Sequence, residues 1–431
     1  MSIAARLSAL DRRLQTALII AAYTATAYAI FNRYASADLN ALFLAAFNYG
    51  AGNTGAVYAD IGKVFQLAVP PEWEAQATAL GIEGRPLYPF IYPPIWAAVF
   101  APLVSATGAK VFTTAAFVIN PALIGLSAVL AHRIMRPAMA LPVWVLLCLG
   151  LVTTTTFGYV ALFQNQPQIL VSFLILLALE RDRSGAPTAA GIALALAASL
   201  KLYPALFALF WLAARNHRPL VAFLIAGAGL GGLSVALAGW PMHAEFLNQI
   251  SVIANSLISS QVNYSIDATI TQWVLADYLI NTIGVQDPNA DSAVNVIVAI
   301  KPALLRTTDR LILIAGLTLL VVAILRADTE TRFRRLYPAG ILFVALASPL
   351  TWAYHYLSVA FFFPVFTESG RRGWGIFIAI ALLYNGGLLW LIERLPTPFY
   401  IGQITGTLGL VAIMAIFLLQ PRRPGAGAIP P

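Results

Sequence analysis

Residues 92–106 read YPPIWAAVFAPLVSA, and the placement of this run decides the fold. After Tyr92 the run is about 14 residues, short against the roughly 20 that a bilayer crossing takes. Counted as a full span, it inverts every later loop and sends His132, Arg133 and Arg136 to the outer face. Counted as a juxtamembrane or re-entrant helix on the outer side, tolerable where protein covers its backbone, it leaves each basic loop on the inner face. The second placement obeys the positive-inside rule and is adopted here.

Around that run the composition is that of a membrane protein. Of 431 residues, 60% are hydrophobic and 10% charged, where soluble domains run near half and a quarter. Mean hydropathy is +0.79. A soluble globular enzyme, a disordered chain and a disulfide scaffold are all excluded. The single Cys148 lies inside VWVLLCLGL, where a thiol packs as a small hydrophobe, so no intramolecular disulfide and no cysteine metal cluster can form. The net charge of +8 comes without any basic block interleaved with aromatics, so no nucleic-acid partner is expected.

The first strong run, Leu14 to Phe31, follows ARLSALDRRLQ and reads as a retained span with its amino end inside. Further runs cover about 110–131, 139–157, 166–180, 218–239, 308–326, 373–392 and 399–419. Two pairs of shorter runs, 188–200 with 203–214 and 336–349 with 353–367, read as hairpins of short helices. The fold class is an all-α polytopic membrane protein with about 11–13 transmembrane helices. Residues 1–420 form one domain, and PRRPGAGAIPP at 421–431 is a disordered inner tail. The inner face holds 17 of the 26 basic and six of the 18 acidic residues, net +11, and the outer face −3. Two outer segments, 32–92 and 240–307, are too long to be turns, and long loops usually carry function. The first includes the amphipathic DLNALFLAAFNYG, suited to an interface; the second is rich in Asn, Ser, Asp and Gln.

Few polar residues sit near the membrane, and each has two readings. Asp38 follows the first span and is either a solvated interfacial acid or helix cap or a functional carboxylate; Asp60, in GAVYADIG, reads more readily as solvated. Lys201 lies between two short apolar helices in AASLKLYPALF, either snorkelling or binding a phosphate as a point charge. Gln164, Asn165, Gln166 and Gln168 form an amide cluster at a helix start, where amides can cap but also suit sugar hydroxyls. His355, in SPLTWAYHYL beside Trp352, Tyr354 and Tyr356, either packs among aromatics or serves a phosphate or a proton. No histidine pair has metal-ligand spacing, and no Walker loop, dinucleotide glycine pattern or serine elbow occurs. Metal-free, cofactor-free chemistry is expected.

In order along the chain, these positions resemble the polyprenol-phosphate-sugar-dependent transferases of the GT-C superfold, specifically glycosyltransferase family 87, which includes mannosyltransferases. Asp38 is followed by Gly55 and Tyr58, then Tyr92-Pro93-Pro94. NQPQ at 165–168 stands where the family has Gly-Gln-x-Asn, and KLYP at 201–204 fits Lys-x-x-Pro. Asn263 and Ser265 fit an Asn-x-Ser, and SPLTWAYH at 348–355 fits Ser-Pro-x-x-Trp-x-His-His. Asn165 and Gln168 replace the usual Gly and Asn, and Tyr354 replaces the first histidine. The resemblance implies a GT-C-like bundle and inverting transfer from a polyprenyl-phosphate sugar to an extracytoplasmic lipid or glycan acceptor. It implies Asp38 as general base, Lys201 and His355 on the donor phosphate, and Tyr92 and Trp352 lining the site. The enzyme would lie in the inner (plasma) membrane with its site on the outer face, the sugar being mannose or a related hexose or pentose.

A secondary transporter or lipid-linked-sugar flippase would also carry intramembrane Asp, Lys and His on broken helices. A structural anchor would let the same residues point away from one another. Convergence of Asp38, Lys201 and His355 in a cavity at one end of the bundle favours transfer; a midplane site favours transport.

Overall fold

The first span forms where the charge pattern puts it. Helix α1, Arg12–Phe31, opens on Asp11, whose carboxylate accepts from the Arg13 N–H at 3.3 Å. A computed structural model describes residues 11–60, 62, 65, 68–82, 87–274, 297–392 and 401–420; Arg6, Arg422, Arg423 and the expected tail lie outside the described residues. After a left-handed turn at Ser36 (φ 54°), the amphipathic stretch forms α2, Ala37–Gly50. A short helix α3, Glu72–Ala79, follows, with Trp73 buried beneath it and its indole N–H donating to the Ala56 carbonyl at 2.7 Å.

The deciding run opens α4, Ile95–Met135, which is 41 residues long and bent at Gly108 (φ 73°, ψ 171°). That backbone conformation is open essentially to glycine alone, so the residue makes the bend possible. Residues 95–107 are thereby a separate limb, and Phe100 packs edge-on against Phe112 across the bend at 5.7 Å. The limb lies against α2, where Gly50 closely approaches Ala101, and Phe43 of α2 meets Phe112 of the second limb at 5.6 Å. The limb 109–135 runs antiparallel to α1, since Tyr28 and Thr114 border one end of a shared groove and Arg13 and Arg133 the other. The 109–135 limb therefore starts at the end of the bundle where α1 terminates, and the bend joins residues 95–107 to it there.

The expected run 139–157 is two helices, α5 (Leu141–Thr154) and α6 (Thr156–Phe163), parted at an extended Thr155 that pairs with Asn385. Then come α7 (Gln168–Arg183) and α8 (Pro187–Leu200), followed by a 3₁₀ turn at Tyr203–Phe207 and α9 (Ala208–Ala213). Helix α10, His217–Ala254, bends at Gly239 with nearly the dihedrals of Gly108 (φ 72°, ψ 163°). The outer segment expected from Trp240 thus starts as helix. It continues into β1 (Ser256–Ser259), α11 (Ile266–Val274) and β2 (Ile297–Ile300), and the two strands pair antiparallel with Ser256 opposite Ile300. This small sheet is an addition to the all-helical expectation, made by two four-residue strands too short and too far apart to show periodicity. Lys301 is buried beside it between Asp267 (2.5 Å) and Asp309 (3.0 Å).

Further elements include α12 (Ala303–Arg326), α13 (Tyr337–Leu346), a 3₁₀ turn at Ala353–Tyr356, α14 (Leu357–Ala360), α15 (Gly370–Leu383), α16 (Gly386–Ile392) and α17 (Ile401–Leu419). Among the described residues α1, α4, α10, α12 and α17 are long and apolar enough to cross a membrane. Ile225 on α10 and Leu319 on α12 are 70% and 71% exposed, apolar surface of the kind lipid covers. The protein is an all-α polytopic membrane protein. Cys148 is buried in the core with Trp144, Phe157, Ile169 and Tyr356, as the apolar run implied.

The bundle has two chemically distinct ends. At one, Arg133 meets Glu180 (2.7 Å), Arg183 meets Glu330 (2.6 Å) and Arg334 meets Glu368, so residues assigned to the basic face come together. Helix α7 runs from that end at Arg183 to the amide cluster at Gln168, about 24 Å at 1.5 Å per residue.

Candidate active site

Asp38 lies in the first turn of α2, where the helix N-terminus favours a carboxylate. It does not cap that helix, because the cap position is Ser36. The left-handed Ser36 is held by Asn165, whose amide donates to its hydroxyl at 3.1 Å. Asn165 is itself left-handed, with φ 49°. Asparagine tolerates this conformation better than other residues with a β-carbon, which explains how it stands where the family has glycine.

Lys201 ends α8 in extended geometry (φ −141°, ψ 137°), with its N–H on Ala197, and Pro204 sits at the start of the following 3₁₀ turn. This break turns the ammonium inward. Its Nζ lies 5.0 Å from the centre of the Tyr354 ring and 5.7 Å from that of Tyr92, cation–π distances that offset part of the cost of removing it from water. The chain of α13 then returns through Ser348 to the 3₁₀ turn carrying His355. Its Nδ1 lies 3.2 Å from the Trp352 carbonyl and its Nε2 3.3 Å from Lys201 Nζ. A carbonyl only accepts, so Nδ1 carries the proton and Nε2 presents its lone pair to the lysine. Burial and the Lys201 charge hold the imidazole well below its ordinary pKa, in keeping with this neutral form.

These pieces meet around one cavity of about 410 Å³, within the range of small-molecule sites. Asp38, Tyr92, Gln164, Gln166, Lys201, Trp352, Tyr354 and His355 all line it, so eight of the eleven sequence-derived positions converge from segments more than 300 residues apart. Gln166 organises one wall: its Oε1 accepts from the Tyr92 hydroxyl at 2.7 Å, and its side chain hydrogen-bonds Asp38. Tyr92 is anchored in turn by its carbonyl, which accepts from the Tyr58 hydroxyl at 2.7 Å. Asp38 is partly accessible because it faces the cavity, while the surrounding protein shields it from bulk water. Burial pushes its carboxyl up to about 6, opposed by the Lys201 charge and the Gln166 hydrogen bond. Burial brings Lys201 down to about 7, opposed by Asp38.

Three expected positions lie behind the wall. Asn165 accepts from Asn120 at 2.8 Å while donating to Ser36. Gln168 donates to the Tyr203 hydroxyl at 2.7 Å and to Ser172 at 3.2 Å. Asn263 donates to the Ile258 carbonyl at 2.6 Å and accepts from the N–H groups of Ser265 and Thr351 at 3.2 Å, tying the outer segment to the Trp352 turn. Their amides hold the wall's shape. Of the three departures from the family pattern, Tyr354 alone touches the cavity.

Other lining residues were not singled out by sequence. Phe246, Ile250 and Ile253 from the limb of α10 beyond Gly239, with Leu202 and Leu350, make an apolar side, and Tyr88 adds an aromatic. Tyr203 crosses edge-on to His355 at 5.9 Å. The signal for Tyr88 was present in the proline-aromatic run PLYPFIYPP at 86–94; Phe246 and Ile250 had none, since they look like ordinary helix residues. Among the described residues no group of three or more His, Cys, Asp or Glu side chains is arranged to hold a metal ion.

A search of curated proteins returns no match. The family model for glycosyltransferase family 87 matches residues 90–349, well over half of the chain. The match takes in Tyr92, the amide cluster, Lys201 and Asn263. It begins after Asp38 and stops before Trp352, Tyr354 and His355, which join the site through the fold. With a predominantly helical membrane architecture and one cavity uniting the matched segments with both flanks, the chain belongs to glycosyltransferase family 87 and is a membrane glycosyltransferase.

Proposed function

We propose that this enzyme transfers a sugar, mannose or a related hexose or pentose, from a polyprenyl-phosphate donor to an extracytoplasmic lipid or glycan acceptor with inversion. The acceptor hydroxyl oxygen attacks the anomeric carbon while Asp38 takes its proton. The bond from that carbon to the phosphate oxygen breaks, and polyprenyl phosphate leaves with an added negative charge. Lys201 meets that charge. A preorganised cation in a site closed to bulk water is worth far more there than in solution.

The single observation carrying this reading is the pairing of one carboxylate and one ammonium on the same cavity, with an apolar flank beside them. A phosphodiester-linked leaving group needs a base and a cation and no acid, and this is what the cavity offers. Gln164 and Gln166 supply amides for sugar hydroxyls, and the apolar side made by Ile250, Ile253 and Leu350 suits the first prenyl units. His355 acts by directing the Lys201 ammonium, since its free nitrogen faces the lysine. The site lies at the end of the bundle away from the arginine clusters, which argues for the outer face and for transfer over midplane transport.

The test is an assay of purified protein with a panel of polyprenyl-phosphate sugars, following release of polyprenyl phosphate. Release with one donor, lost in Asp38→Asn, is expected. Transfer from a soluble nucleotide sugar, with every lipid-linked donor inert, would overturn the reading.

A further inference from the structure

At the opposite end from Asp38, a second constellation has no part in the transfer. A groove of about 1360 Å³ runs between α1 and the 109–135 limb of α4, bordered on α1 by Ala17, Ala21 and Ala25 and on α4 by Ala122. Its lining spans residues 13–28 and 114–133, about 22 and 28 Å of helix at 1.5 Å per residue. That is enough to hold one extended acyl chain. Small residues open it, and large lipid-facing neighbours such as Val118 and Leu126 border it.

Arg133 ends the groove and also lines an adjoining pocket of about 420 Å³, with His132, Arg136 and Arg183. Arg183 is unusual there. Its side chain is 4% exposed, Nη2 is paired to Glu330 and the guanidinium lies over the Phe333 ring at 5.0 Å, but Nε and Nη1 are buried without a hydrogen-bond partner. Buried polar atoms are nearly always satisfied, so two orphaned guanidinium nitrogens beside a cavity point to an acceptor that belongs there. Glu180 also lines the pocket, but its oxygens are taken by Arg133 and Arg181. The charge left for a ligand is positive.

We propose that groove and pocket together bind an anionic phospholipid of the inner leaflet, its phosphate at Arg133 and Arg183 and one acyl chain along Ala17, Ala21, Ala25 and Ala122. Basic pockets between transmembrane helices on the cytoplasmic side are suited to such headgroups. The donor's own phosphate site, at Lys201, is at the other end of the helices, so the two lipids do not compete.

The full-length protein in detergent, incubated with phosphatidylglycerol or phosphatidylcholine of matched chains and analysed by native mass spectrometry, tests this. Phosphatidylglycerol is expected to be retained at least about tenfold better. Arg133→Gln should weaken it about fivefold, the effect of one basic residue at a lipid surface, and the exposed Arg13→Gln by less. Ala122→Phe, which fills the groove and changes no charge, should weaken it at unchanged melting temperature and unchanged transfer activity. Equal retention of the two lipids would overturn the proposal. So would undiminished phosphatidylglycerol binding in Ala122→Phe, or its displacement by millimolar inorganic phosphate, which would mark a simple anion site. No donor is present in this measurement, so its failure would leave the transferase reading untouched.

Discussion

Asp38 and Lys201 each sit where their charged form is costly, and each lowers that cost for the other. Replacing Asp38 with Asn keeps the shape and removes the proposed base, so transfer should fall about 10²- to 10⁴-fold with expression and melting temperature unchanged; product release per enzyme measures it. The pH profile follows from the same pair. A carboxyl raised to about 6 is a base only above that value, so kcat/KM should climb as pH rises through about 6. An ammonium lowered to about 7 is lost as pH rises further, so the same quantity should decline above about 7. The result is a narrow bell whose limbs belong to the coupled pair. Lys201→Arg carries a charge that does not titrate, and any activity it retains should lack the alkaline limb; a limb that persists would assign it to another group.

Two elements owe their form to single residues. The bends at Gly108 and Gly239 use a backbone conformation reserved for glycine, so Gly108→Ala should cost about 1–3 kcal/mol, read as a lower melting temperature in detergent. The first bend turns residues 95–107 back beside α2, and the second swings Phe246 and Ile250 over the cavity. In the outer segment Lys301 is buried between two carboxylates. Removing one partner of such a group leaves uncompensated charge, so Lys301→Met should destabilise by about 3–5 kcal/mol. Equilibrium unfolding of the two proteins compares them directly.

At the scale of the whole molecule, the arginine-rich end and the cavity end should lie on opposite sides of the membrane. Ala51 and Ser184 are exposed at the two ends, and the native thiol, Cys148, is buried. In intact cells stripped of outer barriers, an impermeant maleimide should label Ala51→Cys but reach Ser184→Cys only after lysis. Labelling of both, or the reverse order, would overturn the orientation. The ion pairs Arg133–Glu180 and Arg183–Glu330 already join loops assigned to one face, which is the geometric counterpart of the charge count.

By itself the amino-acid sequence determined the class of the protein and singled out eight residues that line one cavity. Helical spans need only apolar length, and scarce charges such as Asp38 and Lys201 stand out against an apolar background. For the short run 92–106, the arginines after it favour a limb that does not cross, by the positive-inside rule. Tertiary structure alone decided which amides face the cavity: Gln166 reaches Asp38 and Tyr92, while Asn165, Gln168 and Asn263 turn away to brace the wall. It also gave His355 its partner and brought Phe246 and Ile250 over the site. Those outcomes depend on side-chain direction and on contacts between segments hundreds of residues apart, and local periodicity carries neither.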